Sequence, residues 1–206
     1  MIEIGDSGGR AQSVLLDVTV AEKIDAAMAQ AEASFGPIHE VVNNAGVTAT
    51  RPALEQDEGS WDSVVDTDLK GVWLVAQAAA RRMVDNKIRG SIVNIASILG
   101  LRVVGGVAPY AISKAGVIQM TKALALEWAR YGIRVNALAP GYFVTELNDD
   151  FFESEAGKAL VKRAPQRRLG QLSELDGPLL LLISNAGSFM TGSVVTVDGG
   201  HMVSGL

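Results

Sequence analysis

The chain has 206 residues, 48% of them hydrophobic, a formal net charge of −5 and an isoelectric point near 5.1. That length supports one substantial core, so the expectation is a single domain over residues 1–206. The acidic balance excludes a nucleic-acid surface, which needs a basic stripe to release counterions, and the lack of cysteine excludes disulfides and thiolate chemistry.

The first residues, Met1-Ile2-Glu3-Ile4-Gly5-Asp6, have neither the basic nor the apolar region of a secretory signal. Gly5-Asp6-Ser7-Gly8-Gly9 reads as a turn. From there, short aliphatic runs alternate with longer helical patterns, the βα alternation of a parallel sheet covered on both faces. Residues 14–18 (VLLDV) read as a strand, 20–35 as a helix and 38–43 as the next strand. Residues 61–84 read as a long helix with an irregularity near Thr67-Asp68. Residues 91–97 (SIVNIAS) follow as a buried strand, 107–131 as a second long helix and 133–138 as another strand. Residues 145–170 are mixed in polarity, and Lys162, Arg163, Arg167 and Arg168 within them read as a solvated helix face. Residues 173–183 read as a helix capped by Ser173, and 193–197 as a last strand. The longest aliphatic run, residues 179–183, is too short to cross a bilayer. The expected class is a soluble, cytoplasmic globular domain.

The chemistry concentrates on Ser97, Tyr110 and Lys114. On a helix, residues i and i+4 share a face, which puts an ammonium one turn from the Tyr110 phenol. Tyrosine, with an ordinary pKa of about 10, shuttles protons poorly at neutral pH. A positive charge about 4 Å away favours phenolate by about 4 kcal/mol at an effective dielectric near 20, enough to bring the phenol near working pH. The Tyr-x-x-x-Lys spacing alone also occurs on ordinary exposed helices. Ser97 lies thirteen residues upstream of Tyr110, at a strand end where ligands of open α/β sheets bind, though a serine there also caps turns. Asn43-Asn44-Ala45-Gly46 ends another strand, with asparagines able to tie strand ends together and a glycine permitting close backbone approach. Pro140-Gly141, with Thr145 beyond, ends a third.

Together with Asp17-Val18-Thr19 and the closing Val197-Asp198-Gly199-Gly200, these motifs resemble the short-chain dehydrogenases/reductases over essentially the whole chain. The resemblance implies an α/β, Rossmann-like doubly wound parallel sheet and NAD(P)-dependent hydride transfer between the cofactor and a ketone or secondary alcohol. It makes Tyr110 the general acid/base, Ser97 the group that polarises the substrate oxygen, and Lys114 the residue that holds the nicotinamide ribose and lowers the tyrosine pKa. Asp17 and Val18 would approach the adenine, and Asn44, Ala45 and Gly46 would line the cofactor. Pro140, Gly141, Phe143 and Thr145 would meet its carboxamide and phosphate end. The family pattern makes residues 145–170 a substrate lid and the two long helices a homo-oligomer interface; it implies no metal.

Two departures accompany the resemblance. Asp68 stands where the family usually has an asparagine supporting a proton relay; ionised, it accepts hydrogen bonds but donates none, and it opposes the effect of Lys114 on Tyr110. The expectation is impaired or retuned catalysis, unless a main-chain group does that work. The family also begins with a strand, a glycine-rich pyrophosphate loop, a helix and a second strand, and this first strand–helix–strand unit is expected to be absent, with NAD versus NADP preference undetermined. Residues 14–18 are then expected either to pair directly with residues 38–43 or to leave an apolar edge exposed. The alternative function is an inactive, oligomer-forming scaffold.

Overall fold

The structure is a computed structural model that describes residues 2–144, 152 and 154–203. Its helices are α1 (Ile2–Asp6), α2 (Ala21–Phe35), α3 (Glu58–Val65), α4 (Val72–Asp85), α5 (Ala108–Trp128), α6 (Glu155–Arg163) and α7 (Asp176–Ile183). The strands β1 (Glu40–Asn43), β2 (Ser91–Ile95), β3 (Arg134–Pro140) and β4 (Val194–Val197) form one sheet in that order, every pair parallel. Because all four run the same way, their carboxyl ends share one edge, and this brings together the loops carrying Asn44, Ser97, Gly141 and Asp198.

The central strands are apolar on both faces because both faces are covered. On one side Ile92 and Val135 pack with Val75, Ala79 and Met83 of α4 and Leu124 of α5. On the other, Val93 and Leu138 pack with Leu182 of α7. The result is the expected α/β, Rossmann-like layering. No helix among the described residues is long and apolar enough to cross a membrane.

The long helix read over residues 61–84 runs from α3 through a π-helical segment, Asp66–Gly71, into α4. The irregularity expected at Thr67-Asp68 is therefore real. A π segment inserts an extra residue per turn and re-aims side chains, a device frequent at functional sites; here Asp68 points inward and is fully buried. The glycines fix how closely neighbours approach it. A Cβ on Gly71 would lie 2.8 Å from the Val18 side chain, and one on Gly116 of α5 would lie 2.8 Å from Leu69. The π segment is thus clamped against α5 on one side and Val18 on the other.

Three expectations fail. Residues 14–18 form no strand: Leu15 is 98% exposed, and only Val18 joins the core. An aliphatic run becomes a strand only when a ladder takes up its backbone groups, and here the sheet ends at β1, whose Val42 is 40% exposed. Ser173 is not the helix cap. A capping box joins Gln171 and Glu174, opening a 3₁₀ turn, Leu172–Leu175, that leads into α7. The four basic residues do not share a helix face: Lys162 and Arg163 end α6, Arg167 has a left-handed φ of 51°, and Arg168 binds both carboxylate oxygens of Glu174 at 2.7 Å. Of the turn read over Gly5–Gly9, Gly5 and Asp6 instead end α1, and the turn itself falls on Ser7 and Gly8, with Gly8 at φ +79°.

Candidate active site

Ser97 is set in place by the 3₁₀ turn that follows β2. Its Oγ accepts the Leu99 N–H at 3.1 Å, and its hydroxyl sits close enough to the Tyr110 phenol to favour ionisation of the phenol. Of the two readings of this serine, the turn cap is what the Leu99 bond shows. Gly100 ends that turn 2.7 Å (from its would-be Cβ) off the Lys114 backbone, so the turn lies directly on α5. Helical spacing then does what the sequence anticipated, placing Tyr110 and Lys114 on one face, with the Lys114 Nζ 5.4 Å from the tyrosine ring centroid.

The ammonium is committed elsewhere. Lys114, 4% exposed, donates to the Ile95 carbonyl at 3.0 Å and stands 3.4 Å from Asp68 Oδ2. Asp68 Oδ1 accepts the Val47 N–H at 2.7 Å, while Oδ2 has no hydrogen bond at all. Oδ2 instead lies 3.1 Å from where a Gly46 Cβ would sit, so the glycine after Asn44-Ala45 makes room for the carboxylate. Burial pushes the Asp68 carboxyl up, against the pull of the Val47 N–H and of Lys114. Burial pushes the Lys114 amine down, against Asp68.

The consequence for Tyr110 reverses the expectation that the lysine makes it acidic. Burial raises the phenol above its usual range, the Ser97 hydroxyl pulls it down, and Asp68 and Tyr142 raise it further. Asp68, anticipated to oppose Lys114, does so by pairing with it. Tyr142 was not identified from sequence. It follows Pro140-Gly141 at the end of β3 and stacks edge-on against His201, with ring centroids 5.2 Å apart; its place in a strand-end loop was the available signal. A cavity of about 110 Å³ beside it is lined by Tyr142, Phe143, Leu160, Ala164, Asp198 and His201.

The remaining residues divide. Asn44, Ala45 and Gly46 are exposed at the end of β1. Asn43 ties strand ends as read, donating to Asn94 Oδ1 at 2.8 Å. Pro140 ends β3, and Gly141 donates to the Val197 carbonyl at 2.8 Å; a Cβ there would lie 2.7 Å from Asp198, so only glycine fits. Phe143 is buried and packs its ring onto Gly170. Asp17 anchors the start of α2, accepting the Thr19 N–H at 3.0 Å and hydroxyl at 2.7 Å and pairing with Lys23 at 3.3 Å. Val18 packs in the core. Thr145 lies outside the described residues. Among the described residues no cluster suits a metal ion.

A parallel sheet with a serine, a phenol and an ammonium gathered at its carboxyl edge defines an oxidoreductase scaffold of the Rossmann type, and the comparisons agree. Residues 2–202 match the family model described as Enoyl-(Acyl carrier protein) reductase. The chain belongs to the short-chain dehydrogenase/reductase family. It is 39% identical over 198 residues to gluconate 5-dehydrogenase of Gluconobacter oxydans (strain 621H), covering 96% of this chain and 77% of that one. It is 37% identical to the 3-oxoacyl-[acyl-carrier-protein] reductase of Thermotoga maritima, covering 95% and 78%. The crystal structure of a gluconate 5-dehydrogenase from Burkholderia cenocepacia J2315 in complex with NADP and tartrate superposes with a TM-score of 0.94 at 38% identity, covering 99% and 80%.

Proposed function

We propose that this chain is an NAD(P)-dependent dehydrogenase/reductase that interconverts a ketone and a secondary alcohol, with a keto sugar acid of the gluconate type as substrate. The observation that carries the reading is the closeness of the Ser97 hydroxyl to the Tyr110 phenol at the edge where four parallel strands end. The donor set fits a nicotinamide nucleotide: the Tyr110 hydroxyl and Lys114 amine flank one face of α5, and the exposed residues Asn44, Ala45 and Gly46 border the same edge. Asp17, Gly141 and the backbone at Phe143 complete the proposed contacts. A bound nicotinamide supplies or accepts the hydride. In the reductive direction Ser97 donates a hydrogen bond to the substrate carbonyl oxygen and Tyr110 delivers the proton to it; in the oxidative direction the phenolate takes the proton back.

The sugar-acid assignment rests on the gluconate 5-dehydrogenases among the relatives; the acyl-carrier relative makes a 3-oxoacyl thioester the competing substrate. Residues 145–170 are assigned as the substrate lid. The exposed Trp73 of α4 and Ile112 and Leu126 of α5 support a homo-oligomer formed through the long helices. The same exposed helices and the buried Asp68 support a second reading, an inactive scaffold that pairs with itself.

The test is cofactor consumption by the purified protein, with NADPH and NADH each offered 5-keto-D-gluconate and a 3-oxoacyl thioester. The proposal expects turnover of the keto acid and preference for it over the thioester. No turnover of any carbonyl leaves the scaffold reading.

A further inference from the structure

We propose that Asp68 is a positioning residue that draws the Lys114 ammonium onto itself and away from the Tyr110 phenol, so that Tyr110 stays a proton donor across neutral pH and accepts a proton only in alkali. This rests on the dehydrogenase reading for its place in a reaction, but its physical core is a property of the chain alone.

The geometry is a fork. Lys114 Nζ has two partners at the edge of the sheet, the Ile95 carbonyl at 3.0 Å and Asp68 Oδ2 at 3.4 Å. The same Nζ lies 5.4 Å from the centroid of the Tyr110 ring. Asp68 cannot swing away from this arrangement: its other oxygen is held by the Val47 N–H at 2.7 Å, and the close packing of Gly116 on Leu69 fixes the π segment against α5. With Oδ2 lacking any hydrogen bond, the ammonium is what compensates the buried carboxylate. The pair therefore presents almost no net positive charge to the phenol. The groups facing Tyr110 are the Ser97 hydroxyl from the turn after β2, Asp68 from the π segment, Tyr142 from the loop after β3, and Lys114 from α5 itself. Of these only the serine hydroxyl assists ionisation; burial, Asp68 and Tyr142 oppose it.

In the reductive step the Oη–H bond of Tyr110 breaks, the proton bonds to the substrate oxygen as hydride reaches its carbon, and a phenolate remains. A phenol held protonated suits that direction. The reverse step needs the phenolate first, so it starts at higher pH.

The chain has three tyrosines, which makes the phenol directly observable. Ultraviolet titration of the wild-type protein minus that of Tyr110→Phe isolates Tyr110. Its ionisation midpoint is expected above about 10, the ordinary tyrosine value; a midpoint below that overturns the inference. Asp68→Asn should then lower the midpoint by about one pH unit or more, a tenfold change in the ionisation constant, and Asp68→Ser, which keeps an acceptor for the Val47 N–H in a smaller side chain, should move it the same way. An unmoved or raised midpoint in the folded variants contradicts the role. If the protein reduces carbonyls, the alkaline limb of the kcat profile shifts down with the midpoint while KM for the keto acid is unchanged. If it does not, the dehydrogenase reading fails and the titration still decides this one.

Discussion

Two buried polar systems lie within a few residues of each other at the top of this sheet, and they are built differently. In the first, Asn43 donates to Asn94, Asn94 donates to Thr121 at 2.9 Å, and Thr121 donates to the Val117 carbonyl at 2.8 Å. These neutral groups hand hydrogen bonds along a line from β1 through β2 to α5. In the second, Asp68, Lys114, Tyr110 and Ser97 include an ion pair, a carboxylate oxygen with no hydrogen bond and a phenol pushed away from its ordinary range. A satisfied network specifies one arrangement of elements. An under-satisfied one, with titratable groups of displaced pKa, is where chemistry resides. The contrast separates a network that only holds the elements together from the one that the proposed function draws on.

That division predicts different losses on the two sides. Tyr110→Phe should reduce carbonyl reduction by about 10²–10⁴-fold while the thermal midpoint moves little; a variant keeping a tenth of wild-type activity would move Tyr110 out of the working set. Lys114→Met strips the counter-charge from Asp68 and should destabilise by about 3–5 kcal/mol in urea unfolding at neutral pH. Its pH dependence has a defined sign. The Asp68 carboxyl is raised in the fold, so the unfavourable buried charge is relieved as pH falls and Asp68 takes a proton. The variant should regain stability relative to wild type in acid, and a deficit that widened there would break the ion-pair account.

The neutral chain gives a smaller, purely structural effect. Asn94→Leu removes the acceptor for Asn43 and the donor to Thr121, and should cost about 1–3 kcal/mol, with kcat of the folded protein within a few-fold of wild type. The smallest effect is at the pair formed by Arg168 and Glu174. The Arg168 guanidinium and the Gln171 N–H hold the Glu174 carboxyl at about 2. Arg168→Ala should return it toward 4.5, read by carbon NMR titration of the carboxyl. Because the folded value is depressed, this pairing contributes above the ordinary carboxylate range and is lost as pH falls toward 2.

Much of the architecture was readable from the chain. The run Ser91-Ile92-Val93-Asn94-Ile95 is apolar on alternate and intervening positions alike, because both faces are covered, and α5 runs long because its one proline, Pro109, falls in the first turn, where no intrahelical hydrogen bond is lost. Residues 14–18 misled for a physical reason: propensity marks a segment that can enter a ladder, and pairing decides whether it does. Gln171 escaped notice because glutamine is not a favoured cap residue, although Glu174 three positions later was the signal of a capping box. At the site, spacing revealed that Tyr110 and Lys114 share a face but not which partner the ammonium chooses. That choice depends on the π segment and on close contacts at Gly46 and Gly116, which no helical periodicity encodes.

The most direct measurement of the central claim follows an atom. The protein is supplied with 5-keto-D-gluconate and nicotinamide cofactor deuterated at the reactive carbon, and the product is analysed by mass spectrometry. A working Ser97–Tyr110 site predicts gluconate labelled at carbon 5 by the wild type and a label reduced to near background by Tyr110→Phe. Equal label from both proteins, or none from the wild type with any carbonyl, would contradict it.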